Sequence, residues 1–456
     1  MIKYLTTFST EADYNAFLAS EDCPYVNVSH ITGTNENKYY KNTSVLSQQP
    51  FTITVTAGAN NNYYFAFVVH RATDNGNAIV YARKNNGDWQ VVFNYPYDNW
   101  VYLDTLGTLS VNDYIQIKCD NVRNFTDFGI YGNENDDCRL KVSGNLNSLF
   151  ASENFEYFII PQSYIQEQLC HNLLNNSGAR VTDAEDLWLP TNCLPQGVFQ
   201  GLFKENTYLT KAPDLHAAYL PPSACREMFY SCTSLVNMPN IYATSIGQRK
   251  TFMSMFQNCT SLANVTPLHI DTVYTPTNDG GEGTFQNMFT GCTALTVAPS
   301  WNINWTWKVN KKTGDSNPYN WCKECFQGCT SLVSCDWNMR PAFDIDPNNI
   351  IPVNYESMFD QCSSLTTPCS LSIGETYGPN RDPINLNGFI GNTNVTELIL
   401  SKVASPINYS EGLPLSGSGT IYVADNSVYL DPNSEYYGQS PISGWTVESI
   451  NNYPHA

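Results

Sequence analysis

Charged side chains are scarce in this sequence. They make up 14% of the 456 residues, against roughly 25% in an ordinary globular protein. Most of them are acidic, and the formal net charge is −19. Proteins that bind nucleic acid neutralise phosphates with Lys and Arg, so this balance predicts no nucleic-acid partner. Aromatic residues reach 13%, and a surface of Asn, Thr, Ser and Tyr is typical of extracellular or particle-surface proteins.

Long apolar runs are also absent. No segment approaches the ~20 apolar residues that a membrane-spanning helix needs, which predicts no membrane insertion. The first ten residues, MIKYLTTFST, contain no apolar run of secretory length and no cleavage site of small residues. From this start we expect a protein that is assembled in the cytoplasm without a secretory signal.

Recognisable catalytic motifs are missing as well. The six histidines are scattered, none lies in a zinc-protease or nucleophile motif, and there is no Gly-rich phosphate loop. The densest acidic cluster is Asp183, Glu185 and Asp186, beside Trp188. Two carboxylates hydrolyse a glycoside only when they face each other across a cleft, and acids at the start of a helix would give the same pattern. We therefore predict no catalytic residue and no cofactor.

The sequence does contain a repeated eight-residue motif. It reads MFYSCTSL at 228–235, MFQNCTSL at 255–262, MFTGCTAL at 288–295, CFQGCTSL at 325–332 and MFDQCSSL at 358–365, with degenerate copies LFKENTYL at 202–209 and GFIGNTNV at 388–395. The Cys or Asn positions of successive copies lie 26 to 37 residues apart. A constant motif with a variable period indicates a stacked-repeat protein whose extra residues form loops.

Each repeat is expected to combine one helical turn with one short strand. A spacing of three places the Phe, the Cys and the aliphatic residue on one face of such a turn, and stacked repeats bury this face in a continuous core. The predicted structural repeat residues are Phe229, Cys232, Leu235, Phe256, Cys259, Leu262, Phe289, Cys292, Leu295, Phe326, Cys329, Leu332, Phe359, Cys362 and Leu365.

The chain has 15 cysteines. We expect them to be buried free thiols that act as small apolar residues, and disulfide bonds are the alternative.

These repeats resemble those of the BspA-like leucine-rich repeat proteins, which are surface proteins of gut and oral anaerobes and are also found in their phages. The resemblance extends over roughly residues 143–450, from VSGNLNSL at 142–149 to PISGWTV at 441–447. It implies a leucine-rich-repeat solenoid, adhesion and ligand binding, and no shared catalytic residues. Large inserts follow Cys259, Cys292 and Cys329, so the ligand specificity is expected to be particular to this chain.

The predicted fold class is α+β, mostly β, with an N-terminal β-sandwich followed by an irregular leucine-rich-repeat solenoid. Short alternating strands with Gly, Asn and Asp turns, including a hairpin at Asn86-Gly87, indicate the sandwich. Helices are predicted over Glu11–Leu18 and Tyr164–Leu174. The predicted segments are 1–40, a strand–helix attachment segment; 41–142, the sandwich; 143–198, the start of the solenoid; 199–400, the repeats; and 401–456, a C-terminal cap.

The insert that follows Cys292 carries the candidate ligand-binding residues. From Trp301 to Asn310 apolar and polar residues alternate, which predicts a strand with one aromatic face. The candidates are Trp301, Trp305, Trp307, Tyr319 and Trp321. Such a face could stack on sugar rings or pack on a partner subunit, or it could be a hairpin that buries its tryptophans on the solenoid.

A Cys-x-x-Cys sequence at Cys322 and Cys325, with Cys329 nearby, has the spacing of some zinc sites. Cys325 and Cys329 occupy core positions of the repeat, however, so we predict no metal.

These observations lead to three functional hypotheses. The first is a non-enzymatic phage virion surface protein, such as a head or tail fibre or a decoration protein, that mediates adhesion to host-surface glycans or proteins. It would contact other virion proteins through its N-terminal segment and form a dimer or trimer, by analogy with other fibres. The second is a bacterial cell-surface leucine-rich-repeat adhesin. The third, with least support, is a glycan-degrading enzyme.

Overall fold

The structure is a computed structural model, and it describes residues 48–58, 64–72, 76–131, 138–153, 155, 180–191, 194–247, 249–270, 272–274, 283–303, 322–334, 355–366, 369–370, 384–400 and 406–454. The predicted attachment segment at 1–40, with its helix over Glu11–Leu18, lies outside these residues, as does the helix predicted over Tyr164–Leu174. Within them the protein is mostly β, as predicted, and its C-terminal part is a solenoid of about six turns. No helix in these ranges is long and apolar enough to cross a membrane.

The chain divides into two compact units, Met1–Ala243 and Thr244–Ala456. The strands of the first unit are β1 (Phe51–Ala57), β2 (Tyr64–Arg71), β3 (Ala78–Lys84), β4 (Gln90–Tyr95), β5 (Asn99–Tyr102), β6 (Tyr114–Asp120), β7 (Val122–Tyr131), β8 (Arg139–Asn145), β9 (Val181–Asp183), β10 (Leu187–Trp188) and β11 (Tyr219–Leu220). Short 3-10 turns cover Asp104–Leu106 and Leu146–Leu149.

Two sheets form the N-terminal part of this unit. The larger sheet has the order β10-β8-β1-β6-β3-β4, with β9 also paired to β8, and the smaller one has the order β5-β2-β7. Phe51, Ile53 and Val55 of β1 are buried, in keeping with the alternation that predicted this strand. The hairpin predicted at Asn86-Gly87 is confirmed by the antiparallel pairing of β3 with β4.

The turn at Leu146–Leu149 fastens the larger sheet. The Ser148 hydroxyl donates to the carbonyl of Ile117 at 2.9 Å and accepts the N–H of Phe51 at 2.7 Å, so it links β6 to β1. The next residue, Phe150, packs edge-on against Phe125 of β7 with ring centroids 5.8 Å apart. One short turn therefore contacts both sheets.

Strand β8 is where the antiparallel sheet changes into parallel coils. On one side it pairs antiparallel with β1, and on the other it pairs parallel with β9 and β10. The strand runs across residue 142, the predicted end of the sandwich. The first coil of the solenoid is thus hydrogen-bonded directly to the N-terminal sheet.

The second unit consists of short parallel strands. They are β12 (Ser245–Gly247), β13 (Leu268–Ile270), β14 (Thr272–Tyr274), β15 (Trp301–Ile303), β16 (Cys369–Ser370), β17 (Ile384–Asn385), β18 (Glu397–Leu400), β19 (Ile407–Asn408), β20 (Thr420–Val423) and β21 (Thr446–Ser449). The pairs β12–β14, β13–β15 and β17–β19 are parallel, and so is the sheet β16-β18-β20-β21. Strands β20 and β21 lie in the predicted C-terminal cap, and a 3-10 turn at Ile450–Asn452 follows them.

The repeated motif does not form the predicted helical turn. Its residues make consecutive turns in which a residue with positive φ recurs at every fourth position, for example Glu227 and Ser231. An α-helix requires right-handed φ,ψ values at every residue, so a left-handed residue in each turn stops its i→i−4 hydrogen bonds from forming. The residue before the Cys or Asn has positive φ in the first six copies; these residues are Glu205, Ser231, Asn258, Gly291, Gly328 and Gln361. In the last copy the positive φ belongs to Asn392 itself.

Two sets of backbone hydrogen bonds alternate along these turns. In the first copy the N–H of Phe203 donates to Met228 of the next coil at 2.9 Å, whereas the N–H of Asn206 donates to Phe203 of its own turn at 3.0 Å. The same alternation holds in the second unit, where Phe289 donates to Cys325 and Cys292 donates to Phe289. The turns are therefore both closed internally and bonded to the next coil.

The predicted repeat residues form buried columns. Their side chains have relative exposures of 0% or 1%. Rings of successive coils stack nearly parallel, as in Phe289–Phe326 at 5.3 Å and Phe326–Phe359 at 5.5 Å. The thiols of four repeat cysteines also bond to the preceding coil. Cys292 Sγ donates to the carbonyl of Phe256 and Cys329 Sγ to that of Phe289, both at 3.1 Å. Burial raises the pKa of the Cys292 thiol well above its ordinary value, so the thiol stays a protonated donor.

Two glycines at the same motif position allow a test of this geometry. Gly291 and Gly328 have similar positive φ values of +74° and +73°. A Cβ added to Gly291 would lie 2.5 Å from Asn258 Oδ1. A Cβ added to Gly328 would have no neighbouring atom nearer than 3.8 Å. We expect Gly328→Ala to lower the free energy of unfolding by about 1 kcal/mol through backbone strain. Gly291→Ala also forces the Asn258 side chain into another rotamer and should lower it by about 1 kcal/mol more. Urea unfolding followed by circular dichroism measures both, and equal effects would contradict the close approach at Gly291.

Candidate binding surface

Most of the predicted ligand-binding residues lie outside the described part of the chain. Trp305, Trp307, Tyr319 and Trp321 belong to this group. Trp301 begins β15, where it is in register with the buried Leu268 of β13. The aromatic face predicted for this insert therefore stays a prediction.

The first unit contains a different column of aromatic rings. Trp188 of β10 stacks on His216 with centroids 4.5 Å apart and planes 10° from parallel, and His216 stacks on Tyr242 at 5.0 Å and 8°. Tyr242 is 54% exposed, while the other two rings are half-buried. We call these three residues the aromatic column. It lies on the outside of the solenoid, one ring per coil.

The alternation of the coil strands places the column on this outer face. Leu187, Leu215 and Ile241 each precede a column residue and are buried, and the bridge between Leu215 and Ile241 is parallel. Because side chains alternate between the two faces of a strand, residues two positions before the rings lie on the same outer face as the rings. These residues form a second row, which we call the polar column: Asp186, Asp214 and Asn240.

Hydrogen bonds within the polar column confirm that Asp214 and Asn240 are neighbours. The backbone N–H of Asn240 donates to Asp214 Oδ1 at 2.8 Å, and Asn240 Nδ2 donates to Asp214 Oδ2 at 3.0 Å. Both carboxylate oxygens thus accept one bond each, and each retains an acceptor site that faces solvent. The outer face therefore presents a row of ring edges beside a row of hydrogen-bond acceptors.

The acidic cluster considered for glycoside hydrolysis forms ion pairs with two lysines. Lys211 Nζ lies 2.8 Å from Glu185 Oε2 and 3.5 Å from Asp183 Oδ2. Lys141 Nζ lies 3.9 Å from Asp183 Oδ2 and also bonds to Asp186. The bonds to Asp186 and Glu185 raise the pKa of Lys141 and Lys211 respectively. The cluster is a ladder of alternating charge, not a pair of carboxylates across a cleft.

His216 is the titratable group within the aromatic column. Burial between two rings lowers its pKa below the ordinary value of 6.5, and the nearby charge of Asp214 opposes this shift without cancelling it. Removing a cation from water disfavours the charged form. The column therefore contains a neutral imidazole at neutral pH, with one ring nitrogen a donor and the other an acceptor.

The equivalent position in the second unit is occupied by His269 and Asn302. These residues are in register in the parallel pair β13–β15, and His269 is exposed between the buried Leu268 and Ile270. His216, Tyr242, His269 and Asn302 all lie seven residues after the aliphatic residue of their motif copy. That constant offset is the signal by which the sequence could have revealed the column.

A second group of exposed aromatic residues lies on β4 and β5. Tyr95 and Tyr97 have ring centroids 5.3 Å apart, and Trp100 and Tyr102 have centroids 6.1 Å apart. Tyr95, Tyr97 and Tyr102 are each about half exposed. Asn94, Asp98 and Asn99 flank these rings in the sequence, and Asp98 accepts a hydrogen bond from the backbone N–H of Arg71 and pairs with the His70 ring.

The cysteines of the Cys-x-x-Cys sequence lie in the core. Cys322, Cys325 and Cys329 are free thiols and fully buried. Burial raises the pKa of the Cys325 thiol well above its ordinary value. Among the described residues, no group of three or more His, Cys, Asp or Glu side chains is arranged to hold a metal ion.

No protein-family model, curated protein or solved structure matches this chain. Its function is therefore inferred from its own residues and their geometry.

The pKa of His216 provides a direct test of the column. Because the folded-state pKa is lowered, the stability contributed by neutral His216 is complete above about pH 6.5 and is lost as the pH falls toward the folded-state pKa. We expect the His216 resonance in ¹³C-histidine-labelled protein, assigned by its loss in His216→Phe, to titrate with a midpoint below 6.5. A midpoint at or above that value would mean that Asp214 and the two rings stabilise the imidazolium more than burial destabilises it.

Proposed function

We propose that this chain is a non-enzymatic surface-binding protein of a phage particle, such as a head or tail fibre or decoration protein, that attaches to host-surface glycans or proteins. In this proposal the two N-terminal sheets form a β-sandwich that acts as a spacer. The coils that follow are a leucine-rich-repeat solenoid of the BspA-like type. The N-terminal segment contacts other virion proteins, and the protein works as a homo-oligomer.

One observation carries the binding proposal. The aromatic column of Trp188, His216 and Tyr242 lies on an outer strand face, one ring per coil, beside the polar column. Backbone bonds between coils hold such a face rigid, so little conformational entropy is lost when a ligand binds. Exposed aromatic and polar groups on a rigid scaffold are what a binding surface requires.

A bacterial cell-surface adhesin is the alternative. The resemblance of the repeats to BspA-like proteins supports it equally, because that group includes bacterial surface proteins as well as phage proteins. The glycan-degrading hypothesis has less support, because Asp183 and Glu185 are paired with Lys211.

Particle composition separates the two binding hypotheses. We expect quantitative mass spectrometry of purified, nuclease-treated phage particles from the source culture to find this chain in a fixed copy number per particle. A chain found on intact cells and missing from particles would contradict the virion proposal and favour the adhesin.

Substitution of the most exposed ring tests the binding surface. Tyr242→Ala should weaken attachment of the purified protein to host cells at least about tenfold, because loss of an aromatic contact residue commonly costs more than 1 kcal/mol. Tyr437→Ala is the matched control, since Tyr437 is 55% exposed and Tyr242 is 54% exposed. Both variants should unfold at the wild-type temperature within error. Equal attachment by the two variants would show that the column is not the binding surface.

A further inference from the structure

The rings of the aromatic column present their edges to solvent. Both faces of His216 are covered, because Trp188 lies 4.5 Å away on one side and Tyr242 lies 5.0 Å away on the other. Such distances leave no room for another ring between them. A ligand therefore cannot insert between the stacked rings, and it reaches His216 only at the rim of the ring.

The rims carry polar atoms that are free to bind. Among the described residues, the indole N–H of Trp188, the ring nitrogens of His216 and the hydroxyl of Tyr242 have no hydrogen-bond partner. The polar column adds the solvent-facing acceptor sites of Asp214 and the side-chain oxygen of Asn240. The face thus combines donors and acceptors in two parallel rows.

The spacing of these groups sets the direction of the ligand. Parallel strands lie roughly 4.8 Å apart, and the ring separations of 4.5 and 5.0 Å follow this spacing. The same kinds of polar group therefore recur about every 5 Å along the solenoid axis. An extended chain that runs along the axis contacts all three coils.

Charge selects among extended chains. The polar column is acidic, the whole chain carries −19, and the nearby Lys141 and Lys211 are already paired with acids. An anionic polymer would be repelled. A cationic chain would meet a single uncompensated carboxylate in the polar column, that of Asp214, because Asp186 is bonded to Lys141 and Asn240 is neutral. Cation–π attraction acts at a ring face, and both faces of His216 are covered. A neutral chain rich in hydroxyl groups can form hydrogen bonds with both the aromatic column and the polar column.

We propose that the aromatic and polar columns bind a linear, neutral polysaccharide that lies parallel to the solenoid axis and is recognised through the ring edges by hydrogen bonds. This inference rests on the proposed function and narrows its ligand to one chemical class. Trp188, His216 and Tyr242 contact successive parts of the chain, while Asp214 and Asn240 accept bonds from its hydroxyl groups.

A printed array of linear oligosaccharides tests the proposal. The probes run from monosaccharide to hexasaccharide in matched neutral and uronic-acid forms. We expect the signal to rise with the length of the neutral chains until all three coils are covered, and the uronic-acid forms to bind at least about tenfold more weakly.

The decisive variant is Tyr242→Phe, which keeps the ring and removes only the hydroxyl at its edge. Loss of one hydrogen bond should weaken binding of the neutral oligosaccharides roughly three- to tenfold. Tyr437→Phe, a similarly exposed tyrosine in the second unit, should leave binding unchanged. Unaltered binding by Tyr242→Phe would overturn recognition through the edge.

The remaining outcomes separate this inference from the proposed function. In one outcome, attachment to host cells depends on Tyr242 but no printed oligosaccharide binds. This outcome would contradict a polysaccharide ligand and favour a protein ligand for the same surface. Binding of uronic-acid chains as strong as that of neutral chains would overturn the charge selection. If wild-type protein binds neither cells nor the array, the proposed function itself is wrong.

Discussion

The backbone hydrogen bonds between successive motif turns hold the solenoid coils together. Alternate N–H groups, such as those of Phe203 and Glu205, donate to the next coil, while the groups between them close the turn in which they lie. This alternation needs a left-handed residue at every fourth position. It also fixes the separation between coils, so phenylalanine rings of neighbouring coils stack at 5.3–5.6 Å. The thiols of Cys232, Cys292, Cys329 and Cys362 then reach a carbonyl of the preceding coil.

The same coil separation determines what the outer face can do. Rings that share one strand position on neighbouring coils are about 5 Å apart, which is close enough for large flat side chains to stack. Trp188, His216 and Tyr242 therefore form a column whose members shield one another's faces. The proposed binding mode is a consequence of this packing: the buried interior sets the spacing, and the spacing leaves ring edges and the acceptors of Asp214 as the accessible chemistry.

Several features followed from the sequence because they depend on local pattern alone. Alternating residues in β1 and the Asn-Gly turn after β3 predicted strands and a hairpin that the structure contains. The helical turn was the wrong choice for the motif, since a spacing of three fits a helix and a series of tight turns equally well. The residues before the motif cysteines, Ser231, Asn258 and Gly291, are types that tolerate positive φ. That preference was the available signal for turns.

The sequence by itself determined the repeat, the buried columns of repeat residues and the mostly β character, because a constant motif buries the same residues in every coil. The tertiary structure alone decided which outer residues become neighbours. Trp188, His216 and Tyr242 are 26 to 28 residues apart in the sequence, and His216 there is one of six scattered histidines. Only the parallel register of the coils brings His216 to 4.5 Å from Trp188 and 5.0 Å from Tyr242. It likewise pairs Asp183 with two lysines from different strands, which turns an apparent catalytic cluster into an ion ladder.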